Sequence, residues 1–204
     1  MSKNDEQILV IPRTTLFGAD DKLAFQGFKS TEEFEINGGI SVVEVKRRGD
    51  MELDPTFKQL ITYAILKDEA TNKFLLYKRL GGSGETRLVD KTSIGVGGHT
   101  NWYEAETLEE VMFENFIREL EEELNIYGET TSRPVGFVNG DLNEVDKVHL
   151  GVIYVVNVDS TKVSVNETDT LEIEWLSLEE IKNDENLESW SRILVSSDEF
   201  LKTV

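Results

Sequence analysis

Three glutamates in one short run are the residues of this sequence whose type and spacing best suit chemistry. Glu119, Glu122 and Glu123 stand at positions i, i+3 and i+4 within RELEEE, residues 118–123. On a helix, residues at this spacing share one patch of surface. Clustered carboxylate oxygens are the ligands that Mg²⁺ and Mn²⁺ prefer in proteins. The spacing therefore indicates a candidate site for a hard divalent cation.

The segment that carries these glutamates has the pattern of an amphipathic helix. Between Glu104 and Leu124 there are nine carboxylates and a single base, Arg118. An ordinary exposed helix would place lysines four residues from its glutamates, because like charges at that spacing repel one another. The alternative to a metal site is an acidic face that only keeps the protein in solution. Apolar residues at helical spacing predict one buried stripe made of Phe113, Phe116, Ile117, Leu120 and Leu124.

The composition limits the class of protein. The chain has 204 residues, enough for one domain of about 150 residues and an extension. It contains no cysteine, which excludes disulfides, thiolate metal sites and cysteine nucleophiles. Its formal net charge of −19 argues against general binding to nucleic-acid backbones or to anionic membranes. A phosphorylated ligand would need cations gathered locally, and a carboxylate cluster loaded with metal supplies them.

The sequence also predicts the cellular compartment. No apolar run approaches the roughly 18 residues that a membrane span needs, and the start MSKNDEQILVIPR lacks the apolar core of a signal peptide. We therefore expect a cytoplasmic protein.

The order of predicted elements indicates an α/β fold with a mixed sheet and helices on both faces. The acidic helix should begin near Thr107, because Thr107-x-x-Glu110 is a capping box. Ser177-x-x-Glu180 is a second capping box, and a last helical stretch covers residues 188–201. Strand-like runs lie at residues 59–66, 73–79, 93–96, 133–139, 147–158 and 172–176.

The first 56 residues are the hardest to interpret. Residues 8–11 are a short strand candidate that ends at Pro12, and residues 40–45 are either a strand or the end of a helix. The basic triplet of residues 46–48 is typical of a solvated turn, although in so acidic a chain it could reach over a bound phosphate.

The acidic segment resembles the Nudix box of a hydrolase family. In that pattern a glutamate is followed, after seven residues, by Arg-Glu, an aliphatic residue, any residue, Glu-Glu, any residue, Gly and an aliphatic residue. Glu110 and the run 118–124 fit this pattern in register, and Ile126 supplies the closing aliphatic residue.

The chain departs from the family pattern at two glycines. Asn125 stands where the family has Gly; both residue types tolerate the left-handed conformation that ends a helix. The opening glycine is displaced, because the pair Gly97-Gly98 lies farther upstream than the pattern requires. A loop insertion at residues 101–106 explains this, since added loop length costs little entropy.

The resemblance implies a fold, a reaction and a set of ligands. The fold would be a Nudix-like α/β/α sandwich over residues 57–204, with residues 1–56 as an N-terminal extension of uncertain structure. The reaction would cleave a diphosphate linkage in a small, phosphorylated and nucleotide-derived substrate. Glu119, Glu122 and Glu123 would bind Mg²⁺ or Mn²⁺ together with the Gly98 carbonyl oxygen.

The resemblance also implies roles for the neighbouring residues. Glu119 or Glu122 would orient or deprotonate the attacking water. Arg118 would be an internal brace, paired with Glu110, which the capping box also employs. A further acid is expected from a later loop, either Glu167 and Asp169 or their rivals Glu144 and Asp146.

Several other residues are candidates for substrate contact. His99 follows the glycine pair and could contact substrate or activate water, whereas His149 alternates with apolar residues and is interpreted as structural. Trp102 and Tyr103 could stack on a ring or only pack in the loop. The cations that could contact phosphates, each with plain surface charge as the alternative, are Arg79, Arg87, Lys78 and Lys91.

Two other functions compete with a hydrolase. An isomerase of isoprenoid diphosphates shares the fold, but the family that this chemistry resembles depends on a cysteine, and this chain has none. A catalytically silent module that binds ligand or regulates is the second alternative; the complete acidic cluster argues against it. A homodimer is expected from analogy with the fold alone.

Overall fold

A computed structural model of the protein describes residues 2–79, 91–166 and 171–204, and it confirms the predicted α/β/α sandwich with a mixed sheet. The strands are β1 (Gln7–Pro12), β2 (Gly27–Ser30), β3 (Glu44–Arg47), β4 (Phe57–Asp68), β5 (Lys73–Arg79), β6 (Thr92–Ser93), β7 (Gly95–His99), β8 (Leu124–Ile126), β9 (Thr131–Asn139), β10 (His149–Val158), β11 (Val163–Val165) and β12 (Leu171–Leu176). The helices are α1 (Arg13–Phe17), α2 (Arg48–Met51), α3 (Leu108–Glu123), α4 (Glu144–Val148), α5 (Leu178–Lys182), α6 (Ser189–Val195) and α7 (Asp198–Leu201).

The long strand β4 organises the main sheet. One of its edges pairs in parallel with β10 along ten residues. Its other edge is shared by three antiparallel strands in turn: β1 at its start, β7 in its middle and β5 at its end. The path continues from β10 to β9 and β2 on one side and from β5 to β12 on the other, while β8 and β11 form a separate pair.

Both faces of β4 are buried, because its side chains alternate between two layers of helix. Leu60, Ala64 and Leu66 pack in the cluster that contains the buried face of α3. Ile61 and Tyr63 pack in the opposite cluster with side chains from α5, α6 and α7. Among the described residues no helix is long and apolar enough to cross a membrane.

The N-terminal segment contributes strands to the main sheet. β1 pairs with both β3 and β4, and β2 pairs with β9 at the sheet's edge. The side chains of residues 8–11 are fully buried, and the amide of Leu9 donates to the Thr100 carbonyl at 2.8 Å. The extension is thereby fixed beside the end of β7.

Helix α3 begins after Thr107 with the predicted capping box, but one expectation about its buried face was wrong. Phe113 was predicted to be buried and is 44% exposed, because the buried stripe instead runs through Leu108, Val111, Met112, Asn115, Phe116 and Leu120. Asn125 does not adopt a left-handed conformation. It lies in β8 opposite Ser164, and strand pairing with β11 ends the helix.

The corrected stripe predicts unequal effects for two phenylalanines of one helix. Phe116 is 1% exposed and stacks on Tyr154 at a centroid distance of 4.4 Å. Phe116→Ala should lower the free energy of unfolding by about 3–5 kcal/mol, whereas Phe113→Ala should change it by less than about 1 kcal/mol. Urea unfolding of the two variants measures the difference, and equal losses would show that the stripe is wrongly assigned.

Candidate active site

An open cavity of about 760 Å³ brings together residues from α3, β7 and the N-terminal segment. Eight of the candidate residues lie in its wall: Lys91, Gly98, His99, Arg118, Glu119, Glu122, Glu123 and Asp146. Residues that the sequence did not single out for chemistry also lie there, among them Lys3, Glu6, Glu52, Tyr63, Tyr77 and Trp190.

The carboxylate of Glu119 lies directly against the backbone of Gly98. A Cβ atom added at residue 98 would stand 2.4 Å from Oε2 and 2.5 Å from Oε1 of Glu119. A larger residue at position 98 would displace this carboxylate, because Cβ atoms essentially never lie within 3.0 Å of another atom. The predicted carboxylate ligand therefore lies against the backbone of the residue that carries the predicted carbonyl ligand, at the junction of α3 and β7.

Burial makes Glu119 unusual among the glutamates of α3. Its side chain is 12% exposed, and loss of solvation raises its pKa to about 7, with a further contribution from repulsion by Glu122 and Glu123. Arg118 opposes this rise through an ion pair of 2.7 Å with Oε1 of Glu119, and burial outweighs it. A buried carboxylate beside two others suits a divalent cation, which would offset both penalties.

Arg118 braces the site, but it does so without Glu110. Its Nη2 donates to the His99 carbonyl at 2.9 Å, and its Nη1 donates to Glu122 at 3.0 Å. Glu110 instead accepts the amides of Glu106 and Thr107 at the start of the helix. The predicted Arg118–Glu110 pair is wrong because eight residues of helix separate the two by about 12 Å along the axis.

Asn115 holds the predicted insertion against α3, and the sequence interpretation missed it. The side chain is fully buried. It accepts the amide of Asn101 at 2.8 Å and donates to the Asn101 carbonyl at 2.8 Å. It also accepts from Arg118 at 3.1 Å. An asparagine in the buried stripe of a helix was the available signal, since a buried amide needs partners.

The two histidines lie side by side under the cavity. Nε2 of His99 is 3.2 Å from Nε2 of His149 and 2.8 Å from Oε1 of Gln59. Burial lowers the pKa of both imidazoles. The structure therefore brings His149, which was interpreted as structural, into the same wall as His99.

The remaining candidates are distributed unevenly. Lys91 lines the cavity, whereas Lys78 lines a separate hollow beside β12. Asp146 lines the cavity, whereas Glu144 pairs with Lys147 at the surface. Trp102 is 49% exposed and is not among the lining residues, nor is Tyr103. The candidates that lie outside the described residues are Arg87, Glu167, Asp169 and the side chain of Arg79.

The raised pKa of Glu119 predicts how stability depends on pH when metal is absent. The folded carboxyl group binds its proton more tightly than the unfolded one, so stability should fall as pH rises from 4.5 towards 7. Relative to Glu119→Gln, the wild type should lose on the order of 2–3 kcal/mol across this window. Urea unfolding at several pH values, in buffer that contains a metal chelator, measures this loss of stability.

Glu121→Gln is the matched control for this measurement, because Glu121 is exposed on the same turn and is absent from the cavity wall. The stability of this variant should depend on pH in the same way as that of the wild type. If the free energies of unfolding of the wild type and of Glu119→Gln differed by the same amount at all pH values, this would contradict the burial of a charged carboxylate.

Comparison with known proteins connects this geometry to a family. A model of the NUDIX domain matches residues 58–196. Protein YmaB of Bacillus subtilis (strain 168) is 40% identical over 206 residues, which cover 96% of this chain and 98% of that protein. The crystal structure of Tm1382, assigned to the Nudix hydrolases, is 28% identical with a TM-score of 0.75, and the match covers 94% of this chain and 97% of Tm1382.

A more distant structure shows the fold alone. The MutT NUDIX hydrolase from Burkholderia pseudomallei is 21% identical, with a TM-score of 0.51, over 69% of this chain and 98% of its own. The matches to YmaB and Tm1382 cover nearly the whole chain, so they include most of residues 1–56. The family model covers well over half of the sequence, and the chain therefore belongs to the Nudix family as one of its pyrophosphohydrolases.

Proposed function

We propose that the protein cleaves the diphosphate linkage of a nucleoside diphosphate derivative with the help of Mg²⁺ or Mn²⁺. The observation that carries this proposal is the convergence of Glu119, Glu122, Glu123 and Gly98 on one cavity. Three carboxylates and a backbone oxygen are hard donors, which suits these two ions.

The cation would be held by the three carboxylates together with the Gly98 carbonyl oxygen. When bound, such an ion neutralises charge on the diphosphate oxygens and makes a bound water more acidic. Glu119 or Glu122 would orient or deprotonate the attacking water. Arg118 holds Glu119, Glu122 and the end of β7 in their relative positions.

The cavity has features that suit a small phosphorylated molecule. Its volume lies in the range of ordinary ligand pockets. Lys3, Arg48 and Lys91 supply positive charge in its wall, which a chain of net charge −19 offers at few places. Tyr77 and Trp190 lie in the same wall and offer aromatic surface for a base or sugar ring. His99 remains a candidate for substrate contact, and the homodimer and the cytoplasmic location remain predictions.

Activity assays on variants of α3 test the proposal. Purified protein should hydrolyse at least one member of a panel of nucleotide sugars, dinucleotides and nucleoside triphosphates when Mg²⁺ or Mn²⁺ is present. Glu122→Gln and Glu123→Gln should each lower kcat by at least about 100-fold, because each removes an electrostatic group from the reacting centre. Phosphate release and product chromatography measure the change.

Glu121→Gln makes the same change of charge one residue away and lies outside the cavity wall, so its kcat should stay near the wild-type value. Equal losses in all three variants would indicate a general effect of charge. A panel ligand that raises Tm without turnover would favour the silent binding module instead.

A further inference from the structure

We propose that His99, His149 and Glu52 form a second metal site, selective for a late first-row divalent ion such as Zn²⁺, in the wall of the same cavity. The potential ligand atoms of these three residues lie within 4.8 Å of one another. All three residues line the cavity. This site is separate from the carboxylates of α3, and the proposal does not depend on whether those carboxylates bind Mg²⁺.

The sheet places the two histidines on one face. His99 ends β7 opposite Ile61 of β4, and His149 begins β10 opposite Gln59 of β4. Residues 59 and 61 point to the same side of β4, because side chains alternate along a strand. Glu52, which follows α2, approaches from the N-terminal segment, and its Oε1 is 4.0 Å from Nε2 of His99.

Acceptor atoms converge on Nε2 of His99. Nδ1 of His149 is 2.7 Å from the Val145 carbonyl, which can only accept, so this nitrogen carries the proton. With Nδ1 protonated, Nε2 of the neutral ring presents a lone pair. Oε1 of Gln59 is a second acceptor, 2.8 Å from Nε2 of His99, and Oε1 of Glu52, which accepts from Arg48, lies at 4.0 Å. Nε2 of His99 can offer one proton to the two nearer acceptors, whereas a cation could bind both imidazole nitrogens and the carboxylate together.

Gln59 lies beside the two imidazoles. Its Oε1 is 2.8 Å from Nε2 of His99, and its Nε2 is buried without a hydrogen-bond partner among the residues that the structure describes. The carbonyl of Val145 meanwhile fixes the ring of His149, as backbone carbonyls do for metal-binding histidines.

The distances fit a tetrahedral ion. The two Nε2 atoms are 3.2 Å apart, and two nitrogens bound to tetrahedral Zn²⁺ at 2.0–2.1 Å are separated by roughly 3.3 Å. Oε1 of Glu52 would need to move by less than about 1 Å to complete the set. Arg48 contacts both Glu52 and Glu6, and since Glu6 balances its charge, one negative charge remains for the cation.

The ligand types separate this site from the carboxylates of α3. Imidazole nitrogen suits Zn²⁺, Cu²⁺ and Ni²⁺, whereas carboxylate sets suit Mg²⁺ and Mn²⁺. Two imidazoles and one carboxylate also leave a tetrahedral ion one open position. In the wall of the cavity, that position would be available to an oxygen or nitrogen atom of a bound molecule.

Zinc titration of the untagged protein by calorimetry tests the site. The chain has two histidines and no cysteine, so no other imidazole or thiolate competes. With millimolar Mg²⁺ present, one Zn²⁺ should bind per chain. His99→Gln, His149→Gln and Glu52→Gln should each weaken binding by at least about tenfold. Glu123→Gln, which removes a carboxylate of α3, should leave the zinc affinity unchanged.

Imidazole ¹⁵N resonances of the wild type give a second readout that needs no variant to fold. Zn²⁺ should shift the Nε2 resonances of both rings at a ratio of one ion per chain. Unmoved imidazole resonances would overturn the proposal. Zinc affinity that falls in Glu123→Gln while the two histidine variants retain it would overturn it as well, and would assign the ion to α3.

Discussion

The contact between the Glu119 carboxylate and the backbone of Gly98 is the constraint on which the rest of the site depends. It requires glycine at residue 98 and a close approach of α3 to β7. It also removes a carboxylate from water, which is costly, and Arg118 offsets only part of that cost. Asn115 maintains the approach by fixing Asn101, two residues beyond the end of β7. The fold thus keeps a carboxylate partly out of water beside β7, at the expense of stability.

The N-terminal segment forms part of the same cavity. β1 pairs with the start of β4, before the portion that pairs with β7, and β3 leads directly into α2, whose Arg48 lines the cavity. Arg48 and Glu52 therefore face the acidic end of α3 across one space. This arrangement gives a physical reason for similarity to YmaB and Tm1382 along nearly the whole chain, because the cavity needs residues from both parts.

Local patterns in the sequence were sufficient for most elements after residue 56 and for the acidic end of α3, but they missed α1, α2, β2 and α4. The capping boxes at Thr107 and Ser177 and the spacing of Glu119, Glu122 and Glu123 depend only on neighbours along the chain. The pairing of His99 with His149 could not be predicted, since it depends on the register of three strands. The exposure of Phe113 was mispredicted because helical spacing identifies a stripe but not the element that covers it. The pair of Arg118 with Glu110 was mispredicted because the family pattern was preferred to the length of the helix between them.

Anomalous diffraction from crystals grown with Mn²⁺ shows directly whether the α3 carboxylates and Gly98 hold a divalent cation beside the cavity. We expect an anomalous peak within ligand distance, roughly 2.0–2.3 Å, of a Glu119 carboxylate oxygen and of the Gly98 carbonyl oxygen. Ordered carboxylates at Glu119, Glu122 and Glu123 with no peak between them and β7, at saturating Mn²⁺, would contradict it.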